Sequence, residues 1–128
     1  MTNSILINKY IYAKLSNSKE LEKYVQNKIY PLVAENTTTF PFVTYYRDGI
    51  NPIEFTKDGY CQDEVYFTIN VVSDKYPDTL EIANIIRKLM EGLRGDDNIY
   101  QSHLTSIDEN FIENAYVQTM QFQCRFEN

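Results

Sequence analysis

Glu64-Val65-Tyr66-Phe67-Thr68-Ile69-Asn70-Val71-Val72-Ser73 decides the fold class. Val65, Phe67, Ile69 and Val71 alternate with Tyr66, Thr68 and Asn70, so an extended chain puts every member of the first set on one side and every member of the second on the other. That is a strand with one apolar face, and an apolar face has to be covered. The covering elements are sought on both sides of it in the chain. Downstream, Leu80, Ala83, Ile86, Met90 and Leu93 recur at helical spacing, the stripe is widened by Ile82, Ile85 and Leu89, and Gly92 and Gly95 close the element. Upstream, Ile5, Ile7, Tyr10, Ile11 and Leu15 form a second amphipathic helix, with Ser4 as its expected cap. Ser18 is expected to cap a short turn through Leu21, Tyr24 and Val25.

The remaining segments read as strands or as their connections. Ile29-Tyr30-Pro31-Leu32-Val33 is extended, and Pro31, lacking an N–H, confines it to an edge. Phe42 to Arg47 is aromatic and β-branched, and Asp48-Gly49 after it is a turn signal, so a strand and a reversal are expected. Ile50 to Asp63, with Pro52 and Lys57-Asp58-Gly59, reads as an irregular arm or a weak edge hairpin whose Ile53, Phe55 and Tyr60 have no evident core partner. Gln101 to Ile112 is a weaker strand. Ala115 to Phe126 alternates Tyr116, Gln118, Met120, Phe122, Cys124 and Phe126 against Val117, Thr119, Gln121, Gln123 and Arg125, which suits a closing strand. The order α-β-β-β-α-β-β lacks the regular βαβ alternation of a doubly wound sheet. The expected fold is α+β, an antiparallel or mixed sheet with two helices packed on it, in one domain spanning residues 1–128.

Charge and composition exclude several function classes. Eighteen acidic against 12 basic residues give a net charge of −6, which repels a phosphate backbone and argues against nucleic-acid binding. Eleven Tyr and 7 Phe argue against a disordered chain. The N-terminal stretch is broken by Asn8, Lys9 and Lys14 and has no secretory h-region, and no run approaches the ~20 apolar residues of a membrane span, so a cytosolic protein without a membrane partner is expected. Asn36-Thr37-Thr38 matches a glycosylation acceptor that has no meaning in that compartment.

Catalytic equipment is equally sparse. His103 is the only histidine, with no Cys or His beside it to complete a metal site. Cys61 and Cys124 form no paired motif and read as isolated thiols. Asp63-Glu64, Asp96-Asp97 and Asp108-Glu109 with Glu113 lack calcium-loop spacing and read as solvated turns. Gly92-Leu93-Arg94-Gly95 follows a helix instead of opening one, unlike a phosphate-binding loop. No catalytic residue, no cofactor site and no metal site is expected. Parity sends one of Tyr45 and Tyr46 out of the core and puts Tyr66 opposite the Val65-Phe67-Ile69 face. Outward tyrosine suits a protein interface, where the ring is buried and the hydroxyl finds a partner.

The succession of an N-terminal helix, Ile29 to Val33, Pro41-Phe42-Val43-Thr44-Tyr45, the strand Val65 to Val71 and the helix Leu80 to Gly92 resembles the tail-completion or tail-terminator proteins of long-tailed bacteriophages and prophages. The resemblance implies a non-enzymatic virion protein. It would form a ring of copies of itself, a hexamer in this family, at the head-proximal end of the tail tube. There it would stop tube polymerisation and join the tail to the head, with the tail tube protein and the head connector protein as partners. DNA would pass through an acidic lumen without specific binding. Assembly would take place in the bacterial host cytoplasm, and the finished protein would sit in the virion tail. The arm residues Ile53, Phe55 and Tyr60, with Tyr66, are the candidate subunit interface. A head-tail connector or neck component, or a small non-phage protein-binding domain, is the alternative reading.

Overall fold

The computed structural model describes residues 3–56, 59–92, 94–96 and 98–127; the side chains of residues 54–61 and 94–96 fall outside the description. The alternating strand at the centre of the sequence reading is β3 (Gly59–Ser73). Val65, Phe67, Ile69 and Val71 are buried, as the alternation requires. Two long strands flank it, both antiparallel: β2 (Phe42–Thr56) on one side and β6 (Ala115–Glu127) on the other. Beyond β2 lies the short β1 (Ile29–Pro31), and beyond β6 lie β5 (Ile99–Ile112) and the short β4 (Arg94–Asp96). The sheet has six strands in the order β1-β2-β3-β6-β5-β4. It is mixed, because β1 runs parallel to β2 while the other pairs are antiparallel. The edge position of Pro31 is the one its missing N–H allows.

Three helices cover one face. A 3-10 turn (Ser4–Leu6) runs into α1 (Ile7–Ser16), which buries Ile7, Tyr10, Ile11 and Leu15. Helix α2 (Lys19–Val25) buries Leu21 and Val25, and its cap is Ser18, whose hydroxyl accepts from the Leu21 amide at 3.2 Å. The expected short turn is thus a helix in its own right. Helix α3 (Tyr76–Met90) buries Ile82, Ala83, Ile86 and Met90, and Gly92 ends it at φ +73, a conformation glycine adopts without strain. These side chains join those of β2, β3 and β6 in one core, at whose centre Phe67 and Phe122 stack with ring centroids 5.2 Å apart. Cys124 lies in this core, and burial pushes its thiol up to about 12. Cys61 lies outside the described side chains.

Three local expectations are corrected. Asp48-Gly49 does not reverse the chain: β2 continues to Thr56, and the extra residue is absorbed as a bulge between Arg47↔Phe67 and Gly49↔Tyr66. The turn signal is overridden because the segment after it pairs along β3. The cap of the first helix is Asn3, whose side chain accepts from the Ile5 amide at 2.9 Å, whereas Ser4 is buried and its hydroxyl donates to Asp63. For the same reason Asp63 is not in a solvated turn. It sits buried within β3, its Oδ2 accepting from the Ser4 hydroxyl across the chain.

Candidate interaction faces

With the helices on one side, the other face of the sheet carries no covering element among the described residues. Tyr45 and Tyr46 separate as parity demands: Tyr45 is buried beside Tyr12, and burial together with the nearby Tyr12 raises its pKa, while Tyr46 takes the open face. The open face carries polar side chains that satisfy one another across strands. Thr68 donates to Asp48, Thr119 to Asn70 at 2.8 Å and Ser106 to Gln121 at 2.8 Å. Glu64 accepts from both the Tyr66 hydroxyl and Gln123 Nε2, the latter at 2.7 Å. The bond to Glu64, then desolvation, raises the Tyr66 pKa. A polar ladder of this kind is suited to water or to a wet interface, because few of its groups are left without a partner when the surface is covered.

The arm predicted from Ile50 to Asp63 is a hairpin extension. Its ladder runs from Ile50↔Val65 through Phe55↔Tyr60 to Thr56↔Gly59, with irregularities on either side of Glu54. Strand β6 pairs with β3 up to Gln62↔Glu127, and the distal part of the hairpin has no third strand beside it among the described residues. Ile53 is half-buried on this arm, and Phe55 and Tyr60 are directly cross-strand in backbone register, their side chains being outside the description. Tyr66 is not with them. It pairs with Gly49 at the root of the arm, on the open face.

The two lateral edges of the sheet carry a feature that the sequence did not announce. On the β2 side, β1 covers only Val43 to Tyr45, the last bond running from the Leu32 amide to the Tyr45 carbonyl at 2.9 Å, so Tyr46 to Thr56 have no outer strand partner among the described residues. On the β5 side, β4 reaches Tyr100, the Gly92 amide donates to the Ser102 carbonyl at 3.1 Å and Glu91 accepts from the Leu104 amide at 3.3 Å; from Thr105 to Ile112 the outer edge has no strand partner among the described residues. Apolar side chains cluster at both places. Leu32 and Val33, 68% and 77% exposed, sit at a tight turn in which Leu32 has φ +64 and the Val33 amide donates to the Pro31 carbonyl at 2.7 Å. On the opposite edge Ile107 and Phe111 are 44% and 55% exposed, with Leu80 of α3 also exposed and Tyr116 in ring contact with both Phe111 and Tyr76.

Among the described side chains the chemistry-bearing residues do not converge. His103 is exposed on β5, its Nδ1 2.7 Å from the Gln101 carbonyl. Glu109 is used structurally, accepting from Gln118 and from the Tyr76 hydroxyl, and these bonds lower its pKa while raising that of Tyr76. Among the described residues no group of three His, Cys, Asp or Glu side chains is placed to hold a metal ion, and no helix is long and apolar enough to cross a membrane. Asp97 lies outside the described residues, as does the side chain of Asp96.

A mixed sheet with helices on one face and a polar open face is a frame compatible with assembly, and the comparison with known families agrees with it. The model of the family described as tail completion protein gp17 matches residues 9–123. The chain belongs to the tail completion protein gp17 family. Its members are structural proteins of the phage tail, so this is a virion-assembly protein of the tail. No curated protein matches the sequence. Among solved structures, a chain from the virion of a native gene transfer agent particle shares the fold, with a TM-score of 0.74 and 15% identity over 92% of both chains.

Proposed function

We propose that this tail completion protein forms a closed ring, hexameric, on the head-proximal end of the tail tube, where it stops tube polymerisation and joins tail to head. The family match over residues 9–123 carries this reading. The layout of the fold supports it. Helices occupy one face, both lateral edges have stretches without an outer strand partner among the described residues, and β2 and β3 form a hairpin arm, so several separate surfaces remain for neighbouring copies, for the tail tube protein below and for the head connector protein above. The net charge of −6 suits a lumen through which DNA passes without being held. Assembly takes place in the host cytoplasm, and the product is part of the virion tail.

The arm is the subunit contact in this reading, with Ile53, Phe55 and Tyr60 on it and Tyr66 at its root. Phe55→Asp then lowers oligomer size in native mass spectrometry while circular dichroism stays that of the folded monomer; an unchanged oligomer removes the arm from the interface. Negative-stain imaging of the protein alone and mixed with tail tubes tests the whole reading. Rings seated on one end of the tubes are expected, together with an end to further tube growth. Tubes that keep elongating with the protein bound nowhere on them rule the reading out.

A further inference from the structure

The outer edge of β5 carries a backbone and side-chain pattern that specifies what can lie against it. Glu113 and Asn114 form the two-residue turn into β6, both at positive φ, 51 and 65, so the closing pair Ile112↔Ala115 is a hydrogen-bonded one. The register is unbroken from Ser106 to Ile112, and backbone groups alternate in direction along it. Asp108, Asn110 and Ile112 therefore bond to β6, while Ile107, Glu109 and Phe111 turn their N–H and C=O groups outward. Among the described residues these groups meet no outer strand; the Phe111 amide is covered by the Asn110 side chain, whose Oδ1 accepts from it at 2.8 Å.

The same three residues send their side chains to the helix-covered side, because Ile107 is cross-strand from buried Met120 and Glu109 from buried Gln118. Ile107 and Phe111 are exposed apolar residues. Glu109 stands between them, its carboxylate accepting from Gln118 and from Tyr76 at the start of α3. Leu80, one turn beyond Tyr76 on the same face of α3, is exposed as well. At every second residue the edge thus presents apolar, carboxylate, apolar.

We infer that this edge takes up an extended segment of another protein as an added strand, one in which a Lys or Arg is flanked two residues away on each side by an apolar residue. The outward backbone groups call for a strand. Ile107 and Phe111, with Leu80, call for apolar side chains on the helix side. Glu109 calls for a cation between them, whose aliphatic stem can lie along the apolar neighbours. Charge agrees: residues 74–81 and 108–113 together hold six carboxylates against one cation, Lys75.

The occupant is not a second copy. In this chain the spacing occurs around Lys9, Lys23, Arg87 and Lys88, and all four lie inside helices α1, α2 and α3 with their apolar flanks buried or half-buried. Two β5 edges do not suit one another either, since pairing them brings the carboxylates of Asp108 and Glu109 together. The contact uses neither the arm nor the ring closure proposed above.

The probe is a fluorescent peptide, Gly-Thr-Val-Thr-Arg-Thr-Ile-Thr-Gly, titrated into the full-length protein and read by anisotropy. Exchange of the Ile107 and Glu109 amides is followed by NMR in the same samples. The expected result is saturable binding, slower exchange of both amides in the complex, and affinity lower by about tenfold when the Arg is moved by one residue or replaced by Glu. Glu109→Lys is expected to reverse the preference, losing the Arg peptide and gaining the Glu peptide, with the circular dichroism of the parent. Ile107→Asn, at an exposed position, weakens the Arg peptide several-fold and serves as the test where Glu109→Lys does not fold. Absence of binding at millimolar peptide, equal binding of the three peptides, or binding that leaves both amides exchanging as in the free protein overturns the inference. So does protection of those amides when the protein alone is concentrated, which makes a second copy the occupant.

Discussion

The two faces of the sheet are built from the same strands, yet they solve opposite problems. On the covered face Val65, Phe67, Ile69 and Val71 meet Met120, Phe122, Cys124 and Phe126 beneath three helices, and the stabilisation comes from removing apolar surface from water. On the open face Thr68, Asn70, Thr119, Gln121 and Gln123 are tied by side-chain hydrogen bonds, each of which replaces bonds that water would otherwise make. The difference shows where this chain invests in its own fold and where it keeps a surface for others. Truncations on the covered face unfold the monomer. Truncations on the open face are tolerated by the monomer and are felt, if at all, in assembly.

The sharpest test of that contrast is Phe122→Ala, which opens a cavity against Phe67 and is expected to cost about 3–5 kcal/mol in urea denaturation. The same variant speeds the reaction of Cys124 with a thiol reagent in a Cys61→Ser background, because a thiol held up to about 12 by burial reacts when the core opens. If Cys124 reacts at the same rate in both proteins, the core is not what protects it. A smaller effect is expected at the helix layer. Ser18→Ala removes the cap of α2 and lowers stability by about 1 kcal/mol.

Thr119→Val on the open face removes the bond to Asn70 and costs about 0.5–1 kcal/mol; a loss as large as that of Phe122→Ala would erase the distinction between the faces. The smallest effect concerns Glu109, which Gln118 and Tyr76 hold below the ordinary glutamate value. A carboxylate depressed on folding stabilises the native state above its unfolded pKa, and that contribution is lost as pH falls through the lower folded pKa. Following the Glu109 carboxyl by NMR through an acid titration should give a midpoint below that of an exposed glutamate, and Tyr76→Phe should move it upward.

The covered face was largely legible in the residue order. Alternation from Glu64 to Ser73 and the stripe of α3 from Ile82 to Met90 each follow from a local period, although Leu80, expected in that stripe, is exposed, and the parity of Tyr45 and Tyr46 follows from strand geometry alone. Other positions were misread because their partners are remote. Asp63 looks like a turn residue until Ser4, 59 positions away, donates to it. Asp48-Gly49 looks like a reversal until the following residues pair along β3 and convert it to a bulge. Of the candidate interface residues, Ile53, Phe55 and Tyr60 fall on the hairpin arm and Tyr66 on the open face, where strand parity puts it. Leu32 and Val33 read as part of the extended run from Ile29 but form an exposed turn after Pro31, and the exposure of Ile107 and Phe111 at the β5 edge follows from which strands lie beside them.

The sequence by itself determined an acidic α+β chain, its central strand, its main helices and its family, since these depend on local periodicity and on the order of segments. Tertiary structure alone decided the strand order, which face of the sheet the helices cover, and where the two edge strands stop against their partners. An edge is a strand without a neighbour, and which strand lacks one depends on where β1 and β4 stop against their partners, a relation between distant residues that no local pattern encodes.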